Sequence, residues 1–518
     1  MADRRAGILL PLFSLRSPRD WGVGELGDLG RWCAWQASAG HTVLQLLPIA
    51  EIGGHESSPY AALSAFALDP LYLALGEVED FAAAGGEAAL GTAARRDLET
   101  ARAARAIDRA RIRHVKGEAL ALAYAHFQAH EAASGSGRSR TFERFVEAER
   151  WWLDDYVLFR ALAQQHDERA WTEWPMELRT RHPVALERAR LALAPVRRFL
   201  AWVQWQLAGQ WERARRDALA TGVQVFGDIP FMVSGNSADV WARQHEFRLD
   251  ATIGAPPDAF SPEGQDWGLP IIRWDVMRSG DHAWWRERCR RAAALFDGVR
   301  LDHVLGYYRV YERPCEGPPF FDPADEGAQR ARGETLLEVA AEAAGSLELI
   351  GEDLGSVPDF VRQSLARLAV PGFRVLRWEH DWGVFRDPRG YPELSVATSG
   401  THDTSSLAAW WEDELTPEGR RALGLLPSFM TLRDGPERLT PSVHAALLAG
   451  LYDAGSALVV LPFIDAYAGK ERINVPSTVS AANWSYRVPW NVDELRGERG
   501  AVLAAQLHEL ACASGRFR

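Results

Sequence analysis

Short apolar, β-branched runs recur along the chain with amphipathic or loop-rich segments between them. That is the spacing of βα units rather than of a sandwich of antiparallel strands. Eight runs read as strands, at residues 8–14, 42–48, 223–230, 298–304, 347–354, 373–379, 395–403 and 458–465. Helix boundaries lie between them. Asp281 is an N-cap candidate before HAWWRERCRRAAALF, and Thr440, with Pro441 at the first helical position, opens another helix. Gly40, Gly345 and Gly455 stand where C-terminal stops belong. Phe360, Val361, Leu365 and Leu368 follow helical spacing, and that run stops at Pro371-Gly372. The sixth and seventh runs are joined without a convincing helix. Eight strands with helical crossovers predict an α/β protein of the (β/α)8 TIM-barrel class.

Two stretches interrupt the repeat. Residues 76–200 are rich in Ala, Arg, Glu and Trp, nearly devoid of strand patterning, and broken by Ser134-Gly135-Ser136-Gly137. They predict a mainly helical insertion. A segment of about residues 232–280, rich in Gly, Pro, Asp and aromatics, is longer than a βα connection requires and predicts a loop subdomain at the C-terminal face of the barrel. The organisation expected is a first part of the barrel at 1–75, the insertion at 76–200, and the rest of the barrel at 201–518.

Composition narrows the function. The 518 residues carry 70 acidic against 58 basic side chains, a net charge of −12, with no Lys/Arg-rich block at either end. Nucleic acids and anionic membranes both select clustered positive charge, so neither partner is expected. No apolar stretch approaches the ~20 residues of a membrane span, and the run after Arg4-Arg5 leads into LRSPRD rather than a small-residue cleavage site, which predicts a cytoplasmic protein. Four separated cysteines, Cys33, Cys289, Cys315 and Cys512, form no C-x-x-C pair and signal neither a zinc site nor a redox dithiol. The 21 Trp residues can build core or form platforms for the C–H faces of sugars.

One motif is a decoy. Gly22-Val23-Gly24-Glu25-Leu26-Gly27 fits G-x-G-x-x-G, but it lies seven residues beyond the preceding strand run, whereas a phosphate-binding turn follows its strand at once. A glycine-rich loop at the barrel mouth fits better. The informative residues are acids at strand ends, where barrel enzymes place their chemistry: Asp228, Asp302, Glu352 with Asp353, Asp403 and Asp465. Each alone can cap a helix or pair with a basic neighbour. Arg300 and Asp302 stand two apart on one strand, so they share a face, and a guanidinium there favours an ionised carboxylate. The bland version of that pair is a barrel-interior salt bridge. Glycoside chemistry needs one carboxylate ionised and a second one protonated in a less polar pocket, and the strand ends supply enough carboxylates to divide those roles.

Several segments resemble the 4-α-glucanotransferases, also called amylomaltases or disproportionating enzymes, which form glycoside hydrolase family 77 and are related to the α-amylases. They are SSPYAALSAFALDP (57–70), VQWQLAGQWERARRDALATGVQVFGDIPF (203–231), SADVWA (237–242), GAPPDAFSPEGQDWG (254–268), FDGVRLDHVLG (296–306), IGEDLG (350–355), THDT (401–404) and NWSYRV (483–488). They occur in the family's order. The resemblance implies Asp302 as nucleophile, Glu352 as general acid/base and Asp403 as the third catalytic carboxylate. It further implies Tyr60, Asp228, Asp258, Gln265, Trp267, Arg300, His402 and Asn483 as substrate-binding residues, with Asp258, Gln265 and Trp267 on a loop that closes over glucan. By the same resemblance the enzyme transfers α-1,4-glucan segments between maltooligosaccharides or starch-like glucans through a covalent intermediate and needs no cofactor and no metal. An α-1,4-glucan hydrolase using the same carboxylates is the alternative. The chain departs from the family pattern at His303-Val304-Leu305-Gly306, at Leu269 after Trp267-Gly268, and at Asn474-Val475-Pro476-Ser477, where the family ends the last motif in Gly. Among the tryptophans, Trp267, Trp274 and Trp484 lie in segments tied to the sugar site, with Phe260, Trp267 and Trp274 as candidates for its cover. Trp151, Trp152, Trp202, Trp205, Trp211, Trp284 and Trp285 fall on helices and are expected to pack.

Overall fold

A computed structural model describes residues 4–257, 263–381, 383–433 and 436–517. Eight parallel strands close into a barrel, each paired with its sequence neighbours and the first with the last. They are β1 (Arg5–Leu9), β2 (Val43–Gln45), β3 (Gln224–Ile229), β4 (Gly298–Leu301), β5 (Glu348–Gly351), β6 (Gly372–Val375), β7 (Ser395–Thr398) and β8 (Leu458–Pro462). All eight fall on or beside the predicted runs. Strands covered on both sides read as continuous apolar segments, which is why the runs were visible. Packing is close between β3 and β4. A Cβ on Gly298 would stand 2.6 Å from the ring of Phe226, so only glycine lets that ring lie across the neighbouring strand.

Outer helices follow most strands: Leu29–Ser38, Ala194–Ala220, Ala283–Leu295, Glu326–Ala344, Asp359–Arg367, Pro441–Tyr452 and Glu498–Ala513. Thr440 caps its helix by accepting from the Val443 N–H. Asp281 does not cap: the N-cap of Ala283–Leu295 is His282, at φ 53°, and it makes no side-chain cap bond. The chain turns there through two left-handed residues, Asp281 and His282, after the short helix Trp274–Ser279, so the helix starts later than the cap pattern implies. Gly40 and Gly345 close their helices at φ 73° and 63°. β6 and β7 are joined by a small hairpin, His380–Asp381 with Val384–Phe385.

The insertion after β2 is helical, with Thr92–Ala103, Arg109–Phe127, Gly137–Ala148, Arg150–Gln165 and Pro183–Ala192 among its elements. The long helix Ala194–Ala220 then runs unbroken through position 200 into the barrel wall. Buried charges tie insertion to barrel. Lys116 Nζ donates to Glu25 Oε1 at 2.6 Å and to the carbonyls of Leu71 and Leu73. Arg487 holds Asp20 at 2.8 Å beside the backbone of the helix Thr92–Ala103. The glycine motif belongs to this seam. A Cβ on Gly24 would collide with the Leu12 carbonyl, and Glu25 within the motif is the partner of Lys116.

Two strands from the segment after β3 and two from the segment after β4 build a four-stranded antiparallel sheet, in the order Gln265–Ile272, Phe247–Ala255, Val310–Pro314, Phe320–Asp322, so the subdomain reaches beyond residues 232–280. This sheet was not read from the sequence. Its central strand shifts register twice, between Arg248 and Ile253 and again before Gly254, and those irregularities destroy the period-2 signal. Asp258 and Phe260 lie outside the described residues.

Candidate active site

Parallel register assembles the site. Asp228 on β3 and Arg300 on β4 are register partners, so their side chains point the same way into the barrel mouth. Asp302 follows β4 by one residue, Glu352 follows β5 by one, and Asp403 sits in the turn beyond β7. At the centre is Arg300. Its Nη1 donates to Asp228 at 2.8 Å and to Asp302 Oδ1 at 2.9 Å, and its Nη2 lies 3.7 Å from Glu352 Oε2. Tyr60 O–H donates to Asp228 Oδ2 at 2.7 Å. Two backbone donors complete the pair of acids: Phe231 N–H to Asp302 at 3.3 Å, and His303 N–H to Glu352 Oε2 at 2.7 Å.

The environments of these carboxyls differ. Burial would lower the pKa of Arg300, but Asp228, Asp302 and Glu352 around it raise it well above the ordinary value, so it stays a cation. Glu352, with 13% of its side chain exposed against 23% for Asp302, is pushed up to about 8 by burial, with Arg300 opposing and Asp302 adding to the rise. It therefore holds a proton at neutral pH. Burial also raises Asp228, against the pull of Arg300, and lowers His303 to about 4, leaving a neutral imidazole next to Asp302. Such a division between a protonated and a cation-bound carboxyl is the arrangement that acid-assisted nucleophilic displacement requires.

Asp403 is more open, with 41% of its side chain exposed. His402 Nε2 lies 3.4 Å from its Oδ2, and Asn474 Nδ2 donates to its Oδ1 at 2.7 Å. Arg472 braces the same turn through the Asp403 carbonyl at 2.9 Å. The Tyr60 and His402 rings stack at 5.2 Å and Trp484 leans on both, forming an aromatic wall beside the carboxylates. Trp267 meets His303 edge-on at 4.8 Å, and its indole N–H donates to Gln265 Oε1 at 3.0 Å. His303 and Trp484 hold left-handed backbone, at φ 44° and 59°, a strain that ordinary side chains avoid and that collects at functional sites.

The structure thus brings together Tyr60, Asp228, Arg300, Asp302, Glu352, His402 and Asp403, and sets Trp267 with Gln265 against His303. Asn483 is committed elsewhere: its carbonyl accepts from Val475 N–H, and its amide donates to Val475 and Thr478. It holds the loop that carries Asn474. Two other strand-end acids are also accounted for structurally. Asp353 takes Phe373 N–H and Arg374, and Asp465 takes Ser399 O–H and Leu407 N–H. Asn474 was missed as a site residue, although it opens the NVPS segment. Trp274 is not part of the cover. It is buried, with the Arg332 guanidinium 5.5 Å over its ring. Of the tryptophans expected to pack, Trp151 is 45% exposed and Trp205 partly so, while the others are buried.

Fold and site together define a barrel enzyme of the class that breaks and remakes glycosidic bonds. The sequence profile described as 4-alpha-glucanotransferase, that of glycoside hydrolase family 77, matches residues 10–493. A 4-alpha-glucanotransferase of Thermus thermophilus is 34% identical over 517 residues, covering 97% of this chain and 98% of that one. One from Chlamydia pneumoniae is 30% identical over 504 residues, covering 94% and 92%. Among solved structures, an amylomaltase from Streptococcus agalactiae in complex with acarbose matches with a TM-score of 0.83 at 25% identity, over 99% of this chain and 100% of that one. The chain belongs to the 4-alpha-glucanotransferase family, enzymes that transfer α-glucan segments between oligosaccharides. Among the described residues no helix is long and apolar enough to cross a membrane.

Proposed function

We propose that this chain disproportionates maltooligosaccharides by a retaining double displacement in which Asp302, Glu352 and Asp403 divide the work. Asp302 attacks the anomeric carbon of the donor glucose while the bond from that carbon to the glycosidic oxygen breaks. Glu352 gives its proton to the departing oxygen, leaving a glucosyl ester on Asp302 and a carboxylate at Glu352. The 4-hydroxyl of an acceptor glucan then loses its proton to Glu352 as its oxygen attacks the same carbon and expels Asp302. Asp403, oriented by Asn474, holds hydroxyls of the distorted sugar, and the Tyr60–His402–Trp484 wall carries its apolar face. The observation that carries this reading is the single guanidinium of Arg300, which touches Asp302 and neighbours a Glu352 held protonated by burial.

Transfer requires a sugar hydroxyl to outcompete water, which a covered mouth favours. Gln265 and Trp267, placed against His303, support a covering role for their strand. A cytoplasmic setting is consistent with four cysteines that are all free. The test is incubation of pure protein with maltotriose and resolution of the products. Glucose together with maltopentaose and longer chains is expected. Glucose and maltose alone would instead indicate hydrolysis.

A further inference from the structure

Between the four-stranded sheet, the helix Trp274–Ser279 and the helix Glu326–Ala344 lies a cavity of about 600 Å³ that shares no residue with the carboxylate cluster. Its charges are not balanced. Arg248 is paired with Glu312 at 2.6 Å and with Asp250, outside the lining, at 3.2 Å, and Arg332 with Asp322 at 2.8 Å. Arg273 and Arg278 also line the cavity, are exposed, and make no ion pair with any described residue. Asp275 is the remaining acid of the lining, so four guanidiniums face three carboxylates. Burial holds both Arg332 and His282 below their ordinary values, against the pull of Asp322 and Glu312 on the first and of Asp281 on the second, so the uncovered positive charge of this cavity is that of Arg273 and Arg278.

The walls carry a second signal. Trp274 and His282 are 8% and 7% exposed, and Trp274 Nε1 and His282 Nδ1 have no hydrogen-bond partner among the described residues. A buried polar atom left unpaired costs about 1–3 kcal/mol, and native proteins keep few of them. Beside these groups the lining is apolar, with Ile271, Ile272 and Leu336.

What fits is an oxyanion attached to a compact polyol. Guanidinium forks match the oxygens of a phosphate in bidentate fashion. The volume is of small-molecule size and exceeds what a bare phosphate fills. Glu312, Asp322 and Asp275 would repel a second phosphate but accept hydrogen bonds from hydroxyls. The rings of the lining, Trp274 and His282, are both buried, and the Arg332 guanidinium stands 5.5 Å over the Trp274 ring, which offers a nucleobase little stacking surface. The geometry points to a binding site for the phosphate monoester of a sugar, held by Arg273 and Arg278 with the indole N–H of Trp274 as a further donor.

The test is isothermal titration of the full chain with glucose 6-phosphate, glucose 1-phosphate, inorganic phosphate and glucose at constant ionic strength. At least one sugar phosphate is expected to bind one per chain, at least tenfold more tightly than inorganic phosphate and undisplaced by maltotriose. In the double variant Arg273→Ala/Arg278→Ala that binding should weaken at least tenfold, while maltotriose disproportionation without added phosphate stays at the wild-type rate. Arg278→Glu provides a second variant and should abolish binding with the melting temperature retained. Undiminished binding in these variants, inorganic phosphate binding as tightly as the ester, displacement by maltotriose, or no binding of either ester would each overturn the proposal.

Discussion

Replacing Glu352 by Gln separates what this group does for the reaction from what it costs the fold. Burial holds its pKa at about 8, with Arg300 opposing and Asp302 adding, whereas an unfolded Glu titrates near 4.5. A folded pKa above the unfolded one means that stability is fully present below the unfolded value and is lost as pH rises through the folded one. Between those limits the penalty grows by about 1.4 kcal/mol per pH unit. It amounts to less than about 1 kcal/mol at pH 5, about 3 kcal/mol at pH 7, and about 4 kcal/mol at pH 8. The Gln side chain carries no charge at any of these pH values. Its carbonyl can still accept the His303 N–H, which reaches Glu352 at 2.7 Å, and its amide stands where the acid O–H stood.

Glu352→Gln should therefore be more stable than wild type by about 3 kcal/mol at pH 7 and nearly equal to it at pH 5. At about 2.1 cal/mol/K per residue, a chain of 518 residues has an unfolding entropy of about 1.1 kcal/mol/K, so the melting temperature should rise roughly 3 °C at pH 7. Differential scanning calorimetry of both proteins from pH 5 to pH 8 reads this directly. The same variant should lose roughly 10²–10⁴ of its maltotriose turnover, the usual share of general acid–base catalysis. A stability gain that did not grow with pH, or a variant less stable than wild type at pH 8, would falsify the placement of a protonated, strained carboxyl at this position.

Four further outcomes follow from other contacts. Asp302→Asn should reduce turnover to background while calorimetric binding of maltooligosaccharide remains measurable; wild-type turnover would remove Asp302 from the nucleophile's role. Asn474→Ala removes the donor to Asp403 Oδ1, a bond to a charged group worth about 1.5–3 kcal/mol, so kcat should fall roughly tenfold to a hundredfold with the fold intact by circular dichroism. Lys116→Met leaves Glu25 buried without its cation and should destabilise the chain by about 3–5 kcal/mol, with Glu25→Gln added in the same chain restoring part of the loss in urea titrations. Ser477→Gly relieves a serine at φ 58°, the position where the family motif has Gly, and should raise the urea midpoint by an amount equivalent to about 1 kcal/mol; an unchanged midpoint would show that the bonds of Asn483 to this loop already compensate the strain.

The barrel was legible because its signal is redundant. Each strand is a short apolar run buried on both faces, and closure repeats that run eight times. Strand ends were less legible than strand centres. The run at 395–403 continues past the end of β7 at Thr398, because Gly400, Thr401 and His402 turn the chain without lowering its apparent strand character. The antiparallel sheet was hidden for the opposite reason. Its register shifts and its charged positions Arg248, Asp250 and Glu312 remove the alternation by which a half-buried strand is recognised.

Within the site, sequence parity could place Arg300 and Asp302 on one face, but it could not rank the acids. Asp302, Glu352, Asp353, Asp403 and Asp465 look alike at strand ends, and what separates them is the partner each finds across the fold. Asp353 and Asp465 meet donors that saturate them, the Phe373 and Leu407 N–H groups together with Arg374 and Ser399. Asp302 and Glu352 share Arg300 with Asp228, which precedes it by 72 residues, and both retain side-chain surface towards the mouth. Asp302 and Glu352 each accept a backbone N–H as well, so donors alone do not separate the acids; exposure does, since Asp353 and Asp465 are closed off from solvent and a buried carboxyl cannot reach a sugar to attack it or give it a proton. The choice among the acids is therefore a matter of which carboxyl faces the barrel mouth, and that is set by strand register rather than by residue type.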